Sequence, residues 1–146
     1  MKNRVLLIVV TAMLAVGAAS MAAGTPVGDW ETIDDKTGQP QSIIHIAQVD
    51  GELQGTVTKF LRADAVSNAT CTRCDGARKD QPILGMAILW GMKPDGDAFS
   101  GGTILDTRSG KTYRCRLTLS RDGSKLEVRG YIGLPALGGS QTWLRQ

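Results

Sequence analysis

The sequence predicts an all-β chain: an antiparallel up-and-down meander of about eight short strands that closes into a small barrel. Three observations carry this expectation. Turn dipeptides recur at a regular beat, with Thr37-Gly38, Asp50-Gly51, Asp95-Gly96, Ser109-Gly110 and Asp122-Gly123 each setting a small polar residue before a glycine. That pairing supplies the positive φ and the local side-chain bond of a tight hairpin. The segments between these turns read as strands, the clearest with a period of two. An open meander leaves two bare edges, and pairing the first strand with the last removes both.

Taken in order, the expected strands cover 28–34, 41–49, 52–61, 83–92, 98–106, 111–120, 125–133 and 140–146. The first opens on "GDW" (Gly28, Asp29, Trp30) and ends at the turn "DDKTG". The second, "QSIIHIAQV", carries the sole histidine, His45, and runs into Asp50-Gly51. The third follows that turn. The fourth contains "ILGMAILWGM" with Trp90 and stops before Asp95-Gly96. The fifth spans the interval to Ser109-Gly110. The sixth, "TYRCRLTLS", alternates most cleanly: Tyr113, Cys115, Leu117 and Leu119 fall on one face, Arg114, Arg116 and Thr118 on the other. One buried and one wet face follow. The seventh repeats the pattern, with Leu126, Val128, Gly130 and Ile132 set against Glu127, Arg129 and Tyr131. The eighth holds Trp143 and Arg145. Between the third and fourth lies one long irregular stretch, 62–82, which holds Cys71 and Cys74 and is expected to make a short helical turn near Ala63 to Val66. Connections of that length are often functional or pinned by a disulfide.

Residues 1–23 read as a secretory signal peptide. Lys2 and Arg4 supply the positive start, Val5 to Val16 an apolar run, and Ser20-Met21-Ala22 a small-residue cleavage site. The run is about 12 residues, short of the ~20 that a spanning helix needs, so no membrane span is expected after cleavage. The domain is then 24–146, roughly 120 residues, one unit by length and secreted or periplasmic by address. The whole chain has 17 basic and 14 acidic residues, a net +3. Lys2 and Arg4 leave with the leader, so 15 stand against 14, a net +1. A balance that near to neutral gives no electrostatic case for nucleic acid.

Closure puts the ends of the chain to use. Trp30 near the start would meet Arg145 near the end, a guanidinium over an indole face being worth about 0.5 to 2 kcal/mol. Gly28 lets the backbone turn in beneath the ring.

The cysteines allow several chemistries. Cys71-x-x-Cys74 is followed by Asp75 rather than histidine, which removes haem attachment. A redox dithiol needs a helix start to lower a thiol pKa, and "DGARKDQP" begins no useful helix. Cys71, Cys74, Cys115 and His45 add up to a Cys₃His zinc set, but an exported chain meets conditions that favour disulfides. A staple is the better reading, in one of two forms. Cys71 bonds Cys74 and leaves Cys115 as a buried thiol behaving like a small apolar residue, or the long loop is tied to the sixth strand through Cys115. The local pair, Cys71 with Cys74, is the expected one. "DDKTG" is too short for a calcium loop and reads as a turn. No serine or cysteine nucleophile sits beside the histidine in a recognisable motif, and neither a catalytic residue nor a cofactor is expected.

The Gly-x-Trp of the first strand, answered by an arginine at the end of the last, resembles the lipocalin and calycin barrels. More of the chain is similar to the small secreted bacterial proteins of domain-of-unknown-function family 2147. "GDWETIDDKTGQPQSIIHI", "QPILGMAILWGM", "GGTILDTRSGKTYRC", "LEVRGYIGLPALG" and "TWLR" carry that likeness. Where the family often reads Asp-Pro, this chain has Asp106-Thr107. The resemblance implies a secreted lipocalin-like barrel without an assigned activity.

The function expected is non-catalytic: a secreted barrel that binds a small apolar ligand or an envelope partner. Small barrels either fill themselves with side chains or keep room for one ligand, so the alternative is a filled-core structural or interaction module. The inward set is expected to include Ile44, Val57, Met86 and Ile88, then Trp90, Tyr113, Leu117 and Val128. Trp90, Tyr113, Arg129 and Tyr131 are the candidates for a ligand-binding rim, Arg129 to grip an anion and Tyr131 to present a ring with a polar tip.

Overall fold

The computed structural model describes residues 24–146, the side chain of Pro135 excepted. The expected signal peptide, 1–23, lies outside the described residues. Eight strands follow one another: β1 (Gly28–Ile33), β2 (Pro40–Val49), β3 (Glu52–Phe60), β4 (Ala87–Asp95), β5 (Ala98–Asp106), β6 (Lys111–Leu119), β7 (Lys125–Tyr131) and β8 (Gly139–Arg145). Each pairs antiparallel with the next, and β8 returns to β1 through Trp30 opposite Arg145 and Glu31 opposite Leu144. The barrel is therefore closed, and every strand finds two partners for its backbone groups.

Up-and-down order sorts the connections between two poles. The turns β2–β3, β4–β5 and β6–β7 share one pole with both ends of the described chain. The connections β1–β2, β3–β4, β5–β6 and β7–β8 share the other. At the first pole Arg145 lies over the Trp30 ring, its guanidinium carbon 4.3 Å from the centroid. Its nitrogens donate to the carbonyls of Gly123 at 2.6 Å, Val27 at 3.0 Å and Thr25 at 2.7 Å. Trp30 Nε1 donates to Pro26 O at 2.7 Å, so the fully buried indole leaves no polar atom unpaired. A Cβ on Gly28 would stand 2.9 Å from Arg145 Nη1, at a φ of +134°, which is why glycine opens β1. Above this plug Ile46, Leu53, Leu89, Met92, Leu117 and Leu126 fill the barrel, all nearly or wholly removed from water. Each such side chain contributes about 1.5–3 kcal/mol.

Four local departures from the expected pattern have physical causes. β4 starts at Ala87 rather than residue 83, because Met86 N bonds back to Ile83 O and Gly85 N to Val57 O, which makes 83–86 a tight turn. Within β4 the register against β3 slips twice, and Gly91 takes φ +70°. Leu89 and Met92 are both fully buried as a result, and the half-buried Trp90 between them is turned off the interior sequence. β7 ends at Tyr131, so its period of two stops there. Ile132, expected inward, is 71% exposed, and Tyr131, expected outward, is 8% exposed because the return loop packs Gly138 against its Cβ. The helical turn expected at Ala63 to Val66 is one backbone bond, Ala65 N to Arg62 O, and the loop's 3₁₀ turn is Gly76–Arg78.

Candidate functional site

The barrel is filled at one pole and hollow at the other. A cavity of about 680 Å³ opens between the β1–β2, β3–β4 and β5–β6 connections and the start of β8. That volume is in the range of pockets that enclose a small organic ligand. Trp143, Val57, Val128, Tyr113, Ile88 and Ile104 line it. The cross-strand partners Ile104 and Tyr113 meet on β5 and β6. Gly130, which pairs with Cys115 on the neighbouring strand, leaves space where a side chain would project.

One arc of the wall is polar. Trp143 Nε1 donates to Gln141 Oε1 at 3.3 Å, and Gln141 Nε2 donates to Asp35 Oδ2 at 3.2 Å. These bonds carry a line of polar contact from the interior to the mouth. Beside it the Thr32 and Ser42 hydroxyls bond each other at 2.8 Å. The opposite arc, with Phe60, Ile83, Ile88 and Ile104, is apolar. At the mouth Arg62 grips Asp64 with two bonds, Nε to Oδ1 at 2.9 Å and Nη2 to Oδ2 at 2.5 Å, and this holds the Asp64 carboxyl below its usual range. Arg108 stands 3.7 Å from Asp34 and 3.6 Å from Asp106. Asp34 is held below its usual pKa chiefly by the backbone N–H of Thr37, then that of Lys36.

The long β3–β4 connection forms part of the wall through Ala65, Val66, Ala69 and Ile83, and three attachments fix it. Cys71 and Cys74 are joined in a disulfide, both buried. Arg78 lies over the Trp90 ring at 4.2 Å. The disulfide turn seats on the β5–β6 turn, with Cys71 Sγ 3.5 Å from Thr107 O. Gly110 is in the left-handed region there, and a Cβ would fall 1.8 Å from Arg73 O; only glycine admits that approach.

The candidate residues distribute as follows. Gly28, Trp30 and Arg145 meet at the filled pole. Tyr113 lines the cavity. Trp90, Arg129 and Tyr131 are not among its lining residues. Trp90 is an external anchor under Arg78, Arg129 bonds Ser140 Oγ at 2.9 Å and Gly138 O, and Tyr131 is covered by the β7–β8 loop. The four residues of the zinc alternative do not assemble. Cys71 and Cys74 are bonded to each other, Cys115 is a buried free thiol, and His45 is on the outer surface 2.7 Å from Asp29. Burial pushes the Cys115 thiol up to about 12, away from the thiolate that a metal requires. No cluster of potential metal ligands exists among the described residues.

Sequence reasoning missed the polar arc and the paired charges at the mouth. Thr32 and Gln141 could have been found by stepping two residues from Trp30 and Trp143 along their strands. Asp35, Arg62 and Arg108 sit in connections, where no periodicity points inward.

A family model described as "Uncharacterized protein conserved in bacteria (DUF2147)" matches residues 28–145. No curated protein matches the sequence. Among solved structures the chain is similar to protein HP1028 from Helicobacter pylori, which is described as belonging to the lipocalin family. The two share 17% identity with a TM-score of 0.73, over 84% of each chain. At that identity the likeness speaks for the barrel alone.

Proposed function

The chain belongs to the DUF2147 family of bacterial proteins, and on that premise we propose that it is a non-catalytic binding protein that takes one small, largely apolar molecule into the open pole of its barrel. The observation that carries this reading is the half-hollow interior. Eight-stranded barrels can fill themselves completely, yet this one keeps about 680 Å³ lined by Val57, Ile88, Ile104 and Val128. The polar arc suits a ligand with one hydrogen-bonding end. A disulfide between Cys71 and Cys74 supports work outside the reducing cytoplasm, in keeping with the leader read from the sequence.

The test is titration with N-phenyl-1-naphthylamine, a neutral apolar dye whose emission rises on leaving water. The expected result is saturable binding of one dye per chain. Gly130→Leu should abolish it, because a Cβ at Gly130 meets only ordinary contacts, 3.5 Å from Tyr113 Cβ and 3.6 Å from Ile104 Cγ2, and the longer side chain then occupies the cavity. Absence of saturable binding, or equal binding by a folded Gly130→Leu variant, would overturn the proposal.

A second reading, docking on an envelope partner, is favoured by the β7–β8 connection. From Tyr131 to Thr142 the chain carries no charge, and Ile132, Leu134 and Leu137 are 71%, 67% and 77% exposed. Exposed aliphatic side chains grouped in one connection mark contact surfaces more often than chance exposure does.

A further inference from the structure

The charges at the mouth are unevenly satisfied, and this bears on which ligand end belongs there. Arg62 is committed to Asp64 through both of its bonds. Arg108 stands between Asp34 and Asp106. Those two carboxylates are further occupied: Asp34 accepts from the Lys36 and Thr37 backbone and from Gln41 Nε2, and Asp106 accepts from the Arg108 backbone and the Ser109 hydroxyl. Asp35 differs. It is exposed, it lines the cavity, and its one bond is to the neutral amide of Gln141 at 3.2 Å. A carboxylate has about four acceptor positions, so most of its capacity faces the opening. Among the residues lining the cavity, the two guanidiniums of Arg62 and Arg108 therefore stand against the three carboxylates of Asp35, Asp64 and Asp106. Lys36, on the same turn as Asp35, is exposed and borders a separate pocket with Asp34.

From this imbalance we infer that the cup selects an amphiphile with a cationic head, an alkylammonium, over one with a carboxylate head, and that Asp35 is the selecting residue. The inference rests on the binding reading above and adds the ligand's charge to it. The alkyl chain lies against Val57, Ile88, Ile104 and Val128, and the ammonium remains in the wet mouth, donating to the Asp35 carboxylate. A carboxylate head in the same position meets Asp35, while Arg62 is held by two hydrogen bonds to Asp64 and Arg108 stands at ion-pair distance from Asp34 and Asp106. An ion pair at an exposed mouth changes affinity by about two- to fivefold, and salt screens it.

The experiment is displacement of bound N-phenyl-1-naphthylamine by decylammonium, decanol and decanoate, each below its micellar concentration, at neutral pH. Decylammonium should compete at a concentration about two- to fivefold lower than decanol, with decanoate the weakest, and high salt should narrow the spread. In Asp35→Asn the ammonium and the alcohol should become equivalent, with thermal unfolding unchanged. Decanoate competing best, no displacement by any of the three, or an unchanged order in a normally folded Asp35→Asn would overturn the inference while leaving dye binding intact. Failure of the dye itself to bind would remove the underlying reading as well.

Discussion

Replacing Arg145 by methionine keeps an aliphatic stem over Trp30 and removes the charge and the fork. The loss can be worked from three carbonyl bonds and one ring contact. The carbonyls of Val27 and Thr25 lie in exposed bonds and rehydrate once vacated, so each counts about 0.5 kcal/mol. The Gly123 bond is partly buried and counts about 1 kcal/mol. The cation over the indole adds about 1 kcal/mol. The sum is about 3 kcal/mol. A domain of this size has an unfolding entropy of about 0.26 kcal/mol per kelvin, so the melting temperature should fall by about 12 °C. Circular dichroism or differential scanning calorimetry reads this directly. Arg145→Lys should recover only a minor part, because a single ammonium cannot reach three carbonyls and stack as well. Dye affinity at the opposite pole should stay within about twofold, since distant sites act independently. A melting shift below about 3 °C in Arg145→Met would refute the view that this residue holds the filled pole together, and a large loss of dye binding would refute the separation of the poles.

Two further outcomes follow from the cysteines. Removing the disulfide with Cys71→Ser and Cys74→Ser should lower stability by roughly 2 kcal/mol, the value for so short a loop, and should speed dye release because Ala65, Val66 and Ala69 lose their fixed backing. Thiol titration of the oxidised chain should find one reactive thiol on unfolding and three after reduction; more than one without reductant would contradict the bridge. Burial raises the Cys115 thiol to about 12 from 9.0, so above pH 9 the unfolded chain gives up a proton that the folded chain keeps. The corresponding stability is fully present below pH 9 and is lost as pH rises toward about 12. Cys115→Ala should therefore show a shallower alkaline loss than the parent in urea unfolding between pH 8 and about 11. Parallel curves would count against a buried, protonated thiol.

What the sequence disclosed was the part of the fold governed by local rules. Asp50-Gly51 and Asp122-Gly123 marked their hairpins because positive φ at a glycine is a local demand. The face of Tyr113, Cys115, Leu117 and Leu119 was visible because β6 runs without interruption. The closure of the barrel could be read from Gly28, Trp30 and Arg145 because their residue types fit one another. β4 was misread where it bulges. An inserted residue moves Trp90 off the interior sequence and brings Leu89 and Met92 into it, and that slip is set by β3 rather than by β4 alone. The site was the least legible part. Its polar arc joins Asp35 to Gln141 across the closure of the sheet, and its charges pair between connections. Periodicity carries no information about such contacts, so Arg129 and Tyr131, which look exposed and chemical in "VRGYIG", were favoured over residues that line the cavity.

The placement of both ends of the described chain beside the Arg145 plug has a practical corollary. Gln146 N bonds Asp29 O, and Arg145 reaches Thr25 O, so the chain enters and departs on the face turned away from the opening. A purification handle or a covalent surface linkage fused after Gln146 would orient the molecule with its cup toward bulk solution. The same proximity invites rewiring: a short peptide joining Gln146 to Thr25, with new ends cut at the Gly96-Asp97 hairpin, would preserve every strand neighbour while altering the order in which they emerge.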